Sequence, residues 1–467
     1  MDQINLSEII PGVQGVSQQI PRDYQVDGAK YLIPIKISND FSDPGTGKTL
    51  KSFIYLMQKL SQGQKVICVM PPTLVRQYVS EFERIITGHN FTHLVINHSP
   101  AKRKTLFLKW RKTGEMPDIL LMSFQMWVKV CAHIFPMKHY SALIVDECHA
   151  VKNPATSNWA TIYRAIHAYG FSYLGMSGTP VTADLTDAYG HIKIKDPAAY
   201  VNFGVFERRH IVYQRFDKFK KVVGYKEKEV IKEKLSENSI RVRASDCLSL
   251  EEPNIMDHHV HLAPEHRALY KELMTERILE LSEEEAIIAD NQSALRAFAI
   301  RLITNVNDFS EKVIEDVPLN TLLALLNPEE KTLVFCQHRS TIEKLEAELE
   351  EFNPAVLYGG RNESEKFKTN SDCKILLANF RSGHAGHNFQ VCHNIVMFEA
   401  DGTPSILNQA IARCQRSGQT KVVNVWVFRY VNTYSDRLIN SALQRNVDTN
   451  YVMKDKNSLL DYMKVVD

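Results

Sequence analysis

Runs of consecutive apolar residues recur early in the chain: KVICVM at 65–70, DILLM at 118–122, ALIVD at 142–146 and SYLGM at 172–176. A strand that is apolar at every position is buried on both faces, which is the pattern of parallel sheets covered by helices on each side. The stretches between them carry helical period, as in KTLKSFIYLMQKL at 48–60, so the alternation predicts such a sheet here. From about residue 190 to 310 the chain is charged and mostly helical in period, as at 264–282 and 291–304, with turn signals at Pro253 and Pro264. Strand-like runs then return: TLVFC (332–336), AVLY (355–358), KILLA (374–378), NIVMF (394–398) and VVNVWVF (422–428). The pattern predicts two α/β lobes, residues 1–190 and 311–467, the second with a C-terminal helical tail, separated by a helical insertion at 191–310. No short-period repeat, low-complexity segment or Gly/Ser linker interrupts it.

At 467 residues the chain is long enough for two or three domains. A hydrophobic share of 44% and a charged share of 24% are those of an ordinary globular protein. The formal net charge of +2 neither demands nor excludes nucleic acid, so local charge has to decide. The eight cysteines stand singly without a CxxC pair, several within strand-like runs, which predicts buried free thiols in a reducing compartment. The opening MDQINLSEIIPG has acid and no apolar core, and no run approaches the ~20 apolar residues of a membrane span. A cytoplasmic protein without a membrane partner is expected.

Residues 42–49 read SDPGTGKT and residues 143–149 read LIVDECH. Glycine at 45 and 47 lets a tight turn aim successive N–H groups at phosphate oxygens with no Cβ in the way. Lys48 then reaches the β/γ-phosphates, Thr49 offers a hydroxyl to Mg²⁺, and the helix starting here points its positive end at the same anion. The loop as a whole, Pro44, Gly45, Thr46, Gly47, Lys48, Thr49 and Leu50, is the expected nucleotide cradle. Ser42 stands where the general phosphate-loop pattern has its first glycine. In LIVDECH a buried strand ends in paired carboxylates: Asp146 to hold Mg²⁺ and Glu147 to orient and deprotonate the attacking water. ATP and Mg²⁺ are therefore the expected cofactors. Cys148 and His149 lack a second ligand cluster for zinc, so His149 is expected to hydrogen-bond toward another motif of the site.

The second lobe has no phosphate loop, so its expected role is to complete the site of the first. In QAIARCQRSGQ at 409–419, Arg413 and Arg416 are three apart, a spacing that puts both on one helix face. Arginine's planar, permanently charged fork suits charge developing on a γ-phosphate.

Taken in order, these segments resemble superfamily 2 helicases and translocases, and their wording is similar to the Swi/Snf-type branch. PRDYQVDGAKYL (21–32) is similar to that branch's opening segment, where Arg22, Tyr24 and Gln25 would meet the nucleotide. VICVMPPTLVRQYVSEF (66–82), ILLMSFQMW (119–127), VKNPATS (151–157), GMSGTPV (175–181), KTLVFCQHRS (331–340), RSGHAGHNF (381–389) and QAIARCQRSGQ follow in the family's order across roughly residues 20–440. The resemblance implies two RecA-like lobes and an ATP hydrolase acting on nucleic acid. It places Gly386 and Gln409, with Arg413 and Arg416, at the nucleotide. It implies strand contacts through Pro72, Thr73, Arg76 and Ser123 in the first lobe and His338, Arg339, Asn379 and Arg381 in the second. Two departures stand out: Ser42-Asp43-Pro44 replaces the branch's usual lead into the loop, and His384 and His387 occupy motif V positions that usually hold glycine and leucine.

No chromatin-reader module, zinc cluster or nuclease motif accompanies these segments. The expectation is a compact, monomeric, bacterial- or bacteriophage-type motor on duplex, forked or branched DNA, engaged in branch migration, fork remodelling or strand displacement. Two alternatives are a translocase that strips proteins from DNA without unwinding it and a nucleotide-switched DNA-binding module. Within the insertion, FERRHIVYQRFDKFKKVVGYKEK (206–228) interleaves Arg208, Arg209, Arg215, Lys218, Lys220 and Lys221 with aromatics. That composition suits DNA binding, or equally aromatics such as Phe206, Phe216 and Phe219 anchoring the insertion on the first lobe.

Overall fold

The computed structural model describes residues 3–133, 137–182, 184–216, 219–247, 251–280, 286–289, 292–380, 388–399, 404–416 and 418–440. The chain divides into two compact units that succeed one another at Leu248 and Ser249.

In the first unit seven parallel strands lie in the order 239–240, 37–40, 172–176, 142–146, 66–70, 119–123, 93–95. The all-apolar runs take the centre because both faces of the sheet are covered. Ile67, Val69, Leu120, Met122, Leu143 and Val145 enter one core, while their neighbours Val66, Cys68, Met70, Ile119, Leu121 and Ile144 enter the other. This is the period-two alternation of a strand, here with apolar residues on both sides. The second unit repeats the plan with the order 254–260, 424–430, 394–397, 332–336, 375–379, 355–358, 361–362, parallel except for the last pair. The two-lobed α/β architecture expected from the alternation is thus present.

The apolar pattern hides the strands that are short or lie at an edge. His93–Val95 is only half-buried, and Ser239–Ile240 contributes two residues. Asn254–Val260 is half solvent-facing, so its polar positions mask it. Consequently the stretch 191–310, read as helical, also supplies an edge strand to each sheet. It holds a β-hairpin as well, Ile211–Phe216 against Phe219–Tyr225. The helix expected over 264–282 ends at Glu276, because Arg277 takes a left-handed conformation (φ 62°) and the chain turns into a strand at Ile278–Glu280. The helix expected at 291–304 spans Gln292–Thr304.

Candidate nucleotide and nucleic-acid site

The phosphate loop joins the strand Ile37–Asp40 to the helix Lys48–Ser61. Gly45 and Gly47 have φ of +83° and +82°, the left-handed region that excludes most side chains. A Cβ on Gly47 would lie 1.9 Å from Gln25 Nε2, and that amide donates to the Thr46 carbonyl at 3.1 Å. Gln25 is buried, and its Oε1 accepts from the Arg22 backbone N–H at 2.9 Å. The opening segment Arg22–Gln25 is therefore fastened to the loop. Tyr24, beside the Cys247 thiol, has its hydroxyl pushed up to about 12, chiefly by burial and then by Cys247. Thr46 is buried, Leu50 belongs to the core, and Pro44 packs so closely on Gly178 that a Cβ there would come within 2.8 Å of its ring. Lys48 folds back on its own loop, donating to the carbonyls of Ser42 (2.8 Å) and Asp43 (3.1 Å). Burial draws its pKa below the ordinary lysine value against the pull of Asp40, Glu147 and Asp146.

The strand Ala142–Asp146 ends at this loop. Burial and the adjacent Glu147 raise Asp146 to about 7, with Lys48 opposing. A carboxyl held so high is one that gains from a nearby cation, and its oxygens are of the hard type that magnesium takes; Thr49, the other residue expected to hold the ion, is half-buried at the start of the helix Lys48–Ser61. Glu147 has φ +53°, rare for a residue with a side chain. Its Oε2 accepts from Ser177 Oγ (3.4 Å) and lies 3.1 Å from His149 Nδ1, which in turn is 3.3 Å from Ser177 Oγ. His149 thus ties the Asp-Glu strand to the Ser177–Pro180 turn, as expected.

Ser42, which breaks the glycine pattern, has a definite job. Its N–H donates to Asp40 (3.0 Å), and its Oγ accepts from Lys51 Nζ (3.0 Å) and the Val242 N–H (3.0 Å). Lys51 and Asp40 form a 2.6 Å ion pair with both side chains essentially sealed from solvent. A buried pair is tolerable only where its remaining donors are met, and Ser42 meets one of them. Glycine would leave both Lys51 and Val242 short of an acceptor.

In the second unit the helix Pro404–Cys414 carries the half-buried Gln409 and the buried Arg413. Arg416 lies past the helix end in a bend, its Nε donating to the Ala412 carbonyl at 2.8 Å. The two arginines therefore do not share one helix face as their spacing implied, because the helix stops at Cys414. Gly386 and Arg381 lie outside the described residues, as do His384 and His387.

Pro72, Thr73 and Arg76 are exposed on the first turns of the helix Pro72–Ile85, which follows the strand Val66–Met70. Ser123 is paired in register with Met70, so these residues sit together at the C-terminal ends of adjacent strands. Ser123 Oγ also caps the helix Phe124–Cys131. In the second unit, Asn379 is in register with Cys336 and donates to the Gln337 carbonyl at 2.6 Å, which brings it beside His338 and Arg339. Arg339 pairs with Glu343 and lies 4.9 Å over the Tyr358 ring. This loop rests on a residue that the sequence reading missed. Glu399, fully buried, accepts from the backbone of Gln337 and His338 (2.6 and 2.8 Å) and from Thr304 and Thr341 hydroxyls (2.7 and 2.8 Å). Although burial opposes it, His338 and these bonds hold the Glu399 carboxyl below its ordinary pKa.

A second feature missed from sequence is the helix Pro100–Thr113. Its buried side is Arg103, Phe107 and Trp110. Its exposed side carries Lys102, Lys104, Lys109, Arg111 and Lys112, and the helix contains no acid. Among the described residues none of these five cations has an ion-pair partner. The helix starts beside the Ser123 turn, since Arg103 reaches Met126 Sδ at 3.5 Å. Counting uncompensated cations along the helix would have revealed it.

In the hairpin insertion, Phe206 is fully buried in the first-unit core, and Tyr213, Val222 and Tyr225 pack on that core. Arg208 is exposed and Arg209 pairs with Glu227 at 2.7 Å. Lys218 and the side chains of Arg215, Phe216, Phe219, Lys220 and Lys221 lie outside the described residues.

Compared with known proteins, residues 39–314 match the SNF2-related domain and residues 317–418 match the helicase conserved C-terminal domain. An uncharacterized ATP-dependent helicase of Mycoplasma genitalium is 23% identical over 91% of this chain and 41% of its own length. The uncharacterized ATP-dependent helicase YqhH of Bacillus subtilis is 22% identical over 86% of this chain and 73% of its own. The RNA polymerase-associated protein RapA of Haemophilus influenzae is 23% identical over 82% and 42%. A solved Sulfolobus solfataricus SWI2/SNF2 ATPase core, in complex with dsDNA, aligns with a TM-score of 0.41 and 16% identity, over 94% of this chain and 96% of that one. The chain spans about two fifths of the length of the first two Mycoplasma relatives, 41% and 40%.

Proposed function

Because the chain belongs to the SNF2-related family, we propose that it is an ATP-hydrolysing motor that moves on DNA. The observation that carries this reading is the convergence in the first unit of Lys48, the Gly45–Gly47 turn, Gln25 and the Asp146–Glu147 pair. Lys48 would exchange the Ser42 and Asp43 carbonyls for β/γ-phosphate oxygens, an exchange of partners that keeps its buried charge satisfied. Thr49 and Asp146 would hold a magnesium ion, which neutralises phosphate charge. Glu147 would take the proton of the attacking water, its carboxylate fixed by Ser177 and His149. Arg413 and Arg416 would complete the site from the second unit by meeting charge on the γ-phosphate.

DNA as the track is supported by three groups of residues: the exposed helix start at Pro72, Thr73 and Arg76, the Glu399-braced loop of His338 and Arg339 beside Asn379, and the unpaired cations of Pro100–Thr113. Within that reading a bacterial or bacteriophage cytoplasmic enzyme, acting as a monomer in branch migration, fork remodelling or strand displacement, is the favoured task. The RapA relative, named as RNA polymerase-associated, keeps a protein-displacing translocase as the second reading. Phosphate release and strand separation measured side by side on single-stranded, duplex, forked and four-way DNA decide between them. Stimulation with strand separation on forked or four-way substrates supports the first. Stimulation without separation on any substrate supports the second, and no phosphate release on any DNA removes the motor altogether.

A further inference from the structure

The chain leaves the sheet of the first unit along its phosphate loop. Beyond the edge strand Ser239–Ile240 the ladder continues: Phe41 N–H donates to the Ile240 carbonyl (2.9 Å) and Asp43 N–H to the Val242 carbonyl (2.9 Å). Ser42 Oγ accepts from the Val242 N–H, and the Asp43 carboxylate meets Arg241 Nη2 (3.3 Å) with one oxygen and the Ala244 N–H (3.2 Å) with the other. One turn of helix, Ala244–Cys247, then reaches the opening segment. There the Cys247 carbonyl accepts from Arg22 Nη1 at 3.2 Å, and its thiol meets the Tyr24 hydroxyl. Residues 241–247 are thus fastened at one end to the lead of the phosphate loop and at the other to the Arg22–Gln25 segment, which Gln25 itself fastens to Thr46. Tyr24 is buried at this junction, whereas Arg22 is exposed and Cys247 half-exposed.

Sheet order decides what this junction can face. The strand that enters the phosphate loop, Ile37–Asp40, has Ser172–Met176 and then Ala142–Asp146 on one side and Ser239–Ile240 on the other. The carboxylates of Asp146 and Glu147 therefore lie on one flank of the loop, and residues 241–247 lie on the opposite flank. A nucleoside triphosphate is a linear ligand. With its β-phosphate on the loop amides and its γ-phosphate toward Glu147, its nucleoside is led to the opposite flank, toward the edge of the sheet. We propose that residues 241–247 form the nucleobase-side wall of the nucleotide site, with Arg22 and Cys247 beside the base and with Asp43 and Arg241 as the positioning pair that latches the wall to the loop. The inference rests on the ATP reading above and extends it to residues that none of the sequence motifs contains. A planar guanidinium and a small, polarizable thiol both suit the face or edge of a flat aromatic ring. Ser42 and Asp43, which depart from the usual loop lead, both bind this segment, so the latch is built into positions where this chain differs.

Cys247 also supplies the probe, because the other seven cysteines are buried. Iodoacetamide alkylates an accessible thiol, forming a sulfur–carbon bond with loss of iodide and of the thiol proton, and peptide mass spectrometry on the full chain reads the rate at each cysteine. A base seated on this wall shields Cys247 in proportion to occupancy. A non-hydrolysable ATP analogue at about ten times its Kd, measured by titration with a fluorescent form, should therefore slow alkylation of Cys247 roughly tenfold. Tripolyphosphate, at concentrations that displace the fluorescent analogue, should leave that rate unchanged, since it fills the loop and carries no base. Cys247→Trp should weaken analogue binding roughly tenfold or more, the cost of forcing a large side chain into a packed contact. Undiminished alkylation in the analogue-bound protein, equal protection by tripolyphosphate, or wild-type affinity in a folded Cys247→Trp protein overturns the wall and leaves the ATP site standing. Failure of the wild-type protein to bind analogue overturns the ATP reading and the wall with it.

Discussion

Lys48 and Glu147 separate binding from chemistry at single residues. Lys48→Ala removes the cation for the β/γ-phosphates and should abolish nucleotide binding and hydrolysis together. Glu147→Gln should bind ATP and fail to turn it over, because an amide keeps the shape and cannot accept the proton. Equal loss of binding in both variants, read by equilibrium titration, would remove Glu147 from the role of base. Arg416→Ala, and Arg413→Ala beside it, should leave ATP affinity within a small factor and lower turnover by roughly the 10³–10⁵-fold associated with arginine fingers. The buried position of Arg413 adds a distinction: its alanine variant should also lower the melting temperature, whereas that of Arg416, beyond the helix end, should not. Near-normal phosphate release in both variants would take the second unit out of the chemistry.

At the level of elements, the helix Pro100–Thr113 is held by its apolar side, so its cations can be changed without touching the core. Replacing Lys102, Lys104, Lys109, Arg111 and Lys112 by Gln should flatten the slope of log affinity against log salt on duplex DNA. Each lost phosphate contact removes about 0.9 from that slope, so three contacts would remove roughly 2.7. Phosphate release without DNA should stay at the wild-type level, since the phosphate loop lies on the strand Ile37–Asp40, far along the sheet order from His93–Val95. An unchanged salt slope in the folded variant would make this helix face merely solvated. The hairpin Ile211–Phe216/Phe219–Tyr225 is rooted by Phe206, Tyr213 and Val222. The anchoring role assigned to Phe206 therefore coexists with any role its cations have in gripping DNA.

For the molecule as a whole, each unit contains a histidine kept neutral in its interior. His191 bonds the Pro180 carbonyl and His266 the Leu302 carbonyl, and burial pulls both down to about 4. The unfolded chain takes up these protons near pH 6.5, which the folded units resist, so this stability is fully present above 6.5 and is lost as pH falls toward 4. The loss is on the order of 3 kcal/mol for each unit at the acid end. His191→Asn and His266→Asn should each flatten the pH dependence of urea unfolding between pH 6.5 and 4 for their own unit. A wild-type slope in both variants would place the acid sensitivity elsewhere. Much of this molecule was legible as sequence. A strand apolar at every position has one stable location, the middle of a covered sheet, so VICVM, ALIVD and TLVFC declared both lobes. Phosphate loops need glycine at fixed spacing, so SDPGTGKT and DECH declared the candidate site. Edge strands such as Ser239–Ile240 and Asn254–Val260 left no such mark, because half of their surface faces water or they are too short to show a period. Only the tertiary structure could decide why Ser42 replaces a glycine, what Glu399 holds, and that the departing chain runs along the phosphate loop. Each of those depends on a partner between about 60 and 200 residues away, on hydrogen bonds that exist only once the sheet has formed.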